Sequence, residues 1–259
     1  MKLLSLNIFL LVLLMNVSLF GQRSLLSPAE DNPNAIYKNE WSIGGRFHTN
    51  GMSAFYERVW IKDIYKKNVL QTNLFYHFDV RQQRQKSNFF VDGTQKRYVY
   101  AKQNTFFSIN VLFGQRKMLA GKADKSGVSV SMVYMGGVSL GFLKPYYLEF
   151  LDQSSDGFET FVEPYTGEND SIFLDNTRSS RIVGRAGPRH GFDDVVLMPG
   201  LHGKFGFNFD FGKSETLITA LEVGTQLDIF YRNVDILVTD RSRPFLLNFY
   251  ISFQIGNRW

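Results

Sequence analysis

The chain has 259 residues, of which 44% are hydrophobic, 15% aromatic and 20% charged, with 25 Phe, no Cys and a formal net charge of +5. The length fits one or two domains, the aromatic content excludes an intrinsically disordered chain, and the missing cysteines exclude disulfide frameworks, thiolate metal sites and cysteine nucleophiles. The mean hydropathy of −0.16 shows that the apolar residues are spread among polar ones, which argues against a helical membrane protein.

The N-terminus has the pattern of a secretory signal peptide over residues 1–21. Lys2 precedes an almost wholly apolar run from Leu3 to Met15, and polar residues then lead to a candidate cleavage position near Gly21. A membrane anchor is the competing interpretation, but the run is shorter than the roughly 18 residues that a spanning helix needs. We therefore expect export, a periplasmic segment at residues 22–38 and a mature domain at residues 39–259.

Stretches of alternating apolar and polar residues dominate the mature domain. Two weaker segments at residues 40–48 and 53–61 flank Asn50-Gly51, a dipeptide typical of a two-residue hairpin turn. The second has an ambiguous phase, because Phe55 and Val59 compete with Tyr56 and Trp60. Six clearer segments follow at residues 70–81, 104–114, 128–142, 201–211, 217–231 and 245–259.

The apolar faces of these segments are predicted to face lipid. Their lengths match the roughly 9–11 residues of a tilted membrane-spanning strand, and their polar faces mix charges with glycines, as a narrow lumen filled by side chains requires. Aromatic residues such as Trp41, Tyr147 and Trp259 gather near segment ends, where interfacial rings are expected. The expected fold is all-β: a closed antiparallel up-and-down transmembrane β-barrel of about eight strands with a filled polar lumen. A soluble lipocalin-like barrel is the alternative.

The connection lengths indicate sidedness. With a periplasmic N-terminus, the outer connections are 50–51, 82–97, 144–195 and 232–244, and all but the first are long. The periplasmic connections, at 62–68, 115–126 and 212–215, are shorter, which is typical of outer-membrane barrels. The first two carry Lys and Arg and predict attraction to headgroups of the inner leaflet or to an acidic partner.

Three segments resemble a family of outer-membrane β-barrel proteins from Bacteroidota. They are GGRFHTNG at residues 44–51, the stretch from Gly114 to Phe150, and the last strand, which ends in IGNRW. The resemblance implies a small, functionally uncharacterised outer-membrane barrel, with no catalytic residues to carry over. The last strand also resembles the signal recognised by the barrel-assembly machinery, with Phe253, Ile255 and Trp259 on one face.

The polar faces predict a network of opposite charges and hydrogen bonds inside the lumen, since buried polar groups must be paired. A buried metal or acid–base site is the alternative, but no compact ligand motif such as H-x-H supports it, so we expect no metal and no cofactor. The residues predicted to form this network are Arg46, His48, His77, Asp79, Arg81, His202, Lys204, Asp210, Glu222 and Asp228.

Outer-membrane barrels that are enzymes place a histidine with a serine or an acid near the outer rim. His48 and His190, with Asp193 and Asp194, are the rim candidates, although Gly and Pro around His190 predict a solvated turn. The outer segment 144–195 has an acidic part followed by arginines, which indicates either solvated faces that pair with each other or a docking surface for a protein or a divalent cation. Calcium is weakly supported, because GENDSIFLDN lacks the spacing of an EF-hand loop.

Together these features favour a non-enzymatic structural or accessory subunit of a larger outer-membrane machine for barrel assembly, secretion or surface export. The expected partners are outer-membrane lipid, both lipopolysaccharide and phospholipid, and a larger protein complex. The weak net charge gives no reason to expect nucleic acid. A free-standing membrane-stabilising barrel and a lipid-modifying enzyme are the alternatives.

Overall fold

A computed structural model describes residues 37–63, 65–91, 94–122, 127–152, 159–175, 177, 181–212, 216–239 and 242–259. The expected signal peptide and nearly all of the N-terminal segment lie outside these residues. No helix in the described part of the chain is long and apolar enough to cross a membrane.

Eight long strands form a closed wall, and shorter elements occupy two of the connections between them. The wall strands are β1 (Asn39–His48), β2 (Gly51–Ile61), β3 (Lys66–His77), β6 (Asn104–Ala120), β7 (Ser129–Pro145), β11 (Val196–Asp210), β12 (Leu217–Val234) and β13 (Arg243–Arg258). The shorter elements are β4 (Arg84–Val91), β5 (Thr94–Val99), β8 (Tyr147–Leu151), β9 (Thr160–Pro164), α1 (Asp170–Phe173) and β10 (Ile182–Arg185).

Each wall strand pairs antiparallel with the wall strands before and after it in sequence, and β1 closes the barrel on β13. The closing pair runs over nine residues of each strand without a bulge, from Glu40 opposite Arg258 to His48 opposite Tyr250. The prediction of an eight-stranded up-and-down barrel is therefore confirmed.

The barrel is apolar outside and polar inside. Along β13, Phe249, Ile251 and Phe253 are 61%, 47% and 49% exposed, whereas the intervening Tyr250 and Ser252 are buried. Such a band of exposed large apolar side chains is unfavourable in water and is what a lipid-facing wall presents. The fold is thus a transmembrane β-barrel rather than a lipocalin-like one, because the apolar faces point away from the lumen.

The register also settles the ambiguous phase of β2. Phe55, Glu57 and Val59 are buried inside the barrel, while Tyr56 and Trp60 are exposed on its outer face. The rings of Tyr56 and Trp60 therefore belong to the lipid-facing band, and the carboxylate of Glu57 lies in the lumen.

Most wall strands begin or end a few residues away from the predicted boundaries, and the ends of β3 and β6 show why. Strand β3 ends at His77 instead of residue 81, because the Asp79 carboxylate accepts hydrogen bonds from the backbone N–H and the guanidinium of Arg81 and turns the chain out of the wall. Strand β6 continues to Ala120, so that Arg116 lies in the wall and not in a turn. The hydrogen bonds between Asp79 and Arg81 end β3 early, and the ion pair between Arg116 and Glu57 favours the longer β6.

The long connections fold into a cap at one end of the barrel. Strands β4 and β5 form a hairpin, and β8, β9 and β10 form a three-stranded sheet. We call the described residues within 78–103 and 146–195 the cap. The cap has its own hydrophobic core, which is formed by Tyr98, Tyr146, Leu148, Phe150, Phe173 and Ile182. The opposite end, which we call the turn end, carries the short connections after β2, β6 and β11.

Candidate functional site

The centre of the lumen holds an ion-paired cluster that spans five wall strands. Lys204 Nζ lies 2.8 Å from Glu222 Oε1, and an Arg116 guanidinium nitrogen lies 2.8 Å from Glu57 Oε2. Arg46 approaches Glu222 at 3.6 Å. These side chains are almost completely buried, so each charge depends on its neighbours for compensation instead of water.

Aromatic rings complete the environment of Arg46. Its guanidinium carbon lies 4.5 Å from the centre of the Phe55 ring and 4.6 Å from that of Tyr250. The Tyr250 hydroxyl in turn donates a hydrogen bond of 2.9 Å to Glu222. Stacking between two rings is favourable for a planar guanidinium and holds it beside the carboxylate.

Three histidines lie toward the cap, each with a different set of contacts. His48 contacts the Ser53 hydroxyl at 2.8 Å, and His77 contacts the Ser108 hydroxyl at 3.0 Å. His202 instead contacts the Asp228 carboxylate at 2.5 Å. The serine contacts and the acid contact therefore fall on separate histidines, which is not the arrangement of a nucleophilic triad.

No metal centre emerges from these side chains either. Within the described ranges, no three His, Asp or Glu side chains converge in a way that could hold a metal ion. Asn110 and Ser139 instead complete the surroundings of His202 and Asp228 by hydrogen bonding, as in a structural polar network.

A second charged cluster closes the seam between the first and last strands at the turn end. Glu40 accepts hydrogen bonds from Lys67 Nζ at 2.6 Å and from Arg258 Nε at 2.7 Å. Arg258 also pairs with Asp210, which Lys122 approaches at 3.5 Å. Arg258 thereby ties the end of β13 by charge to β1 and β11, and Lys67 ties β3 to the same carboxylate on β1.

Eight of the ten predicted network residues face the lumen, and two do not. Asp79 and Arg81 pair with each other in the connection after β3, where the Arg81 side chain is 65% exposed. Their assignment to the lumen was wrong, because the wall strand ends before them. The residues that the structure places in the lumen are Arg46, His48, His77, His202, Lys204, Asp210, Glu222 and Asp228.

Sequence reasoning missed several charged members of both clusters. Glu57 was hidden by the ambiguous phase of its strand, although it alternates with Phe55 and Val59 on one face. Lys67 and Arg116 were assigned to basic turns, but both lie in wall strands and pair with Glu40 and Glu57. Only closure of the barrel brings these groups to their partners, because β3 is not a neighbour of β1 in the wall and β6 is not a neighbour of β2.

The rim candidates for catalysis do not form a site among the described residues. His48 points into the lumen, whereas His190 lies on an exposed loop of the cap beside the Tyr147 ring, with 6.1 Å between ring centres. Asp194 accepts a hydrogen bond of 2.6 Å from the Tyr147 hydroxyl. Phe253, Ile255 and Trp259 are exposed on the outer face, and their role as an assembly signal stays a prediction.

No protein-family model and no curated protein matches the sequence. Among solved structures, the chain is similar to Ail, the attachment invasion locus protein of Yersinia pestis, with 8% identity over 86% of this chain and 100% of that one and a TM-score of 0.37. It is also similar to Neisserial surface protein A, with 5% identity over 85% of this chain and 96% of that one and a TM-score of 0.41. A third similar structure is the N-terminal β-barrel domain of Pseudomonas aeruginosa OprF, with 7% identity over 85% of this chain and 96% of that one and a TM-score of 0.33. These values assign the chain to no family, and the architecture described above rests on the strand pairing of the chain itself.

Proposed function

We propose that the protein is a non-enzymatic barrel of the outer membrane and a structural or accessory subunit of a larger outer-membrane machine for barrel assembly, secretion or surface export. The observation that carries the proposal is a lumen filled by ion pairs beneath a folded cap. A barrel filled in this way is a rigid support and not a conduit. Its outer wall and its cap are then the surfaces through which it acts.

The location follows from the inside-out wall together with the predicted signal peptide. Strands cross a bilayer only as closed β-barrels, because closure leaves no unpaired strand edge in the lipid. In such barrels the short turns face the periplasm and the long connections face outward. We place the cap outside the cell on this basis. The resemblance to barrels of Bacteroidota stays a prediction.

The cap offers an acidic surface for docking. Glu159, Glu163, Glu168 and Asp170 are exposed, and residues 159–175 include no Lys or Arg. Part of the charge in the cap is compensated internally, as in the 2.7 Å pair between Lys96 and Glu149. The exposed carboxylates favour a protein partner that presents a basic surface.

A pull-down of the tagged full-length protein from mild detergent tests the accessory role. We expect stoichiometric co-purification with a larger membrane protein. The double variant Glu163→Lys/Glu168→Lys should reduce the yield of this partner at least tenfold, whereas Asp63→Lys at the turn end should leave it unchanged. Recovery of the protein only as a lone monomer would contradict the accessory role and favour a free-standing barrel.

A comparison of lipid A from the wild-type strain and a deletion strain tests the enzymatic alternative. Because the described histidines form no triad and no metal site, we expect identical lipid A mass spectra. A change of acyl chains or phosphates on deletion, restored by the wild-type gene and not by a His190→Ala variant, would show a lipid-modifying enzyme instead.

A further inference from the structure

A basic cleft lies on the outside of the barrel, where the cap overhangs strands β3 and β6. Its volume is about 490 Å³. Tyr76, Thr105 and Phe107 line it from the wall, and all three lie on the lipid-facing side of their strands. The cap contributes four cationic side chains to its lining, which are Arg84, Arg97, Lys102 and Arg185.

The four cations line one cleft and have no acidic partner among the described residues. No carboxylate in the described part of the chain forms a salt bridge with any of them, although ion pairs are frequent elsewhere in the molecule. Lys102 is only 5% exposed. A lysine buried to this extent beside other cations is unfavourable unless an anion compensates it. The cleft therefore has the charge of an anion site.

One aromatic ring organises two of the cations. Lys102 Nζ lies 5.4 Å and Arg185 Cζ 5.7 Å from the centre of the Tyr146 ring. The Tyr146 hydroxyl accepts a hydrogen bond of 3.2 Å from the backbone N–H of Val99, which fixes the ring against β5. Lys102 and Arg185 are thus positioned against a ring of the cap core, whereas Arg84 and Arg97 are exposed.

The position of the cleft narrows the class of anion. Its floor continues into the exposed apolar band of the wall, in which Ile109 and Val111 follow Phe107 along β6. A second cleft of about 210 Å³ shares Phe107, Tyr146 and Arg185 with the first. An anion that binds here lies directly above lipid chains, as the headgroup of a membrane lipid does. The cleft has room for a group larger than a single phosphate.

We propose that this cleft binds the phosphate-bearing headgroup of a glycolipid of the outer leaflet. Arg84, Arg97, Lys102 and Arg185 donate to the phosphate oxygens, and the outward faces of Tyr76 and Phe107 pack against the apolar part of the same molecule. The inference rests on the outer-membrane location of the proposed function, with the cap outside, but not on the accessory role.

The test uses the full-length protein in detergent and measures bound lipid by native mass spectrometry. The probes are bisphosphorylated lipid A, the same lipid after removal of its phosphates, and inorganic phosphate. We expect the phosphorylated lipid to bind at least tenfold more tightly than the dephosphorylated lipid. Inorganic phosphate should compete only in large excess, because it lacks the apolar contacts.

Two sets of variants separate binding from folding. Arg84 and Arg97 are exposed, so Arg84→Gln/Arg97→Gln should fold normally and bind phosphorylated lipid A at least tenfold more weakly. Lys102→Gln removes the buried cation and should have a similar effect. Arg232→Gln is the matched control, since Arg232 is an exposed arginine at the same end of the barrel and does not line the cleft.

Three outcomes would overturn the proposal. Equal binding of phosphorylated and dephosphorylated lipid would show only an apolar lipid annulus. Inorganic phosphate that binds as tightly as the lipid would show a site for a soluble anion. An equal loss of binding in Arg232→Gln would show nonspecific attraction by net charge. If the pull-down yields no partner while lipid binding survives, the accessory role fails and the lipid site stands.

Discussion

Glu222 illustrates how single residues stabilise the lumen. Its carboxylate is approached by Lys204, Arg46 and Arg116 at 2.8, 3.6 and 4.0 Å and accepts a hydrogen bond from Tyr250. Glu57 is the other carboxylate among these three cations. Loss of either acid leaves buried positive charge without compensation, which costs far more than the loss of a surface ion pair.

We therefore expect Glu222→Ala to destabilise the folded barrel by about 3–5 kcal/mol. The measurement is urea unfolding in detergent micelles, followed by the shift between folded and unfolded bands on unboiled gels. Glu168→Ala removes an exposed carboxylate of the cap and should change stability by less than about 0.5 kcal/mol. Equal midpoints for both variants would show that Glu222 is not needed to compensate the buried cations.

Lys102 gives the proposed lipid site a pH dependence. Burial first, and then the nearby Arg185 and Arg84, lower the pKa of Lys102 to about 8. Lys102 therefore titrates near this pH, whereas burial raises the pKa of the neighbouring Tyr146 above its ordinary value. A bound phosphate favours the charged form of the lysine, so that binding above pH 8 requires the uptake of a proton.

The affinity for phosphorylated lipid A should consequently fall as the pH rises above about 8, by up to about tenfold per pH unit. Without ligand the sign is opposite: the unfolded chain binds more protons between this pKa and the ordinary value of 10.5, so Lys102 makes the free protein more stable as the pH rises through that range. Lys102→Gln should bind with a flat profile between pH 7 and about 9.5. A wild-type profile equally flat would contradict this role of Lys102.

Adjacent positions of a wall strand differ in whether they have room for a side chain. In β7, Gly136 and Gly137 show this difference. A Cβ atom on Gly137 would collide with the backbone of Val111 and lie 2.8 Å from Leu112 Cα, whereas one on Gly136 would meet nothing within 4 Å. Both glycines have ordinary strand pairing, opposite Leu112 and Phe113. The difference is therefore one of space on the two faces of the wall.

We expect Gly137→Ala to lower the unfolding midpoint in urea markedly, because the clash is with backbone and β6 and β7 must separate to relieve it. Gly136→Ala should leave the midpoint unchanged or raise it slightly, since it adds a methyl group to the lipid-facing side. Folding yield in detergent is the second readout. Equal effects of the two substitutions would mean that the local approach of β6 to β7 does not limit stability.

Alternation predicted the wall strands well because period two records which face of a strand meets lipid. It failed where another interaction was stronger. The turn formed by Asp79 and Arg81 ends β3 early. Residues up to Ala120, which were expected in a turn, belong to β6, where Arg116 pairs with Glu57. The folded cap core escaped prediction altogether, since Phe150, Phe173 and Ile182 meet only through tertiary packing.

On the scale of the whole molecule, the barrel has two unlike ends. One carries the cap with its hydrophobic core and basic cleft, and the other carries short turns and the charged seam around Glu40. The function proposed for the protein requires the first end to face outward.

The absence of cysteine from the sequence makes this orientation directly testable. A membrane-impermeant maleimide applied to intact cells should label a Glu168→Cys variant, whose side chain lies on the cap, and not an Asp63→Cys variant at the turn end. Both should be labelled after the cells are lysed. The reverse pattern would show that the cap faces the periplasm and would remove the basis for a site for outer-leaflet lipid.

The sequence by itself determined the number of wall strands, the lipid-facing side chains of all of them except β2 and most of the polar side chains inside, because one residue in two along a spanning strand must suit lipid and the next must suit the lumen. Only the tertiary structure decided which charges pair, since Glu57, Arg116, Lys204 and Glu222 come from four strands brought together by closure of the barrel. The same holds for the basic cleft. Its arginines and lysine are ordinary loop residues in sequence and become a site only where the cap folds over the wall.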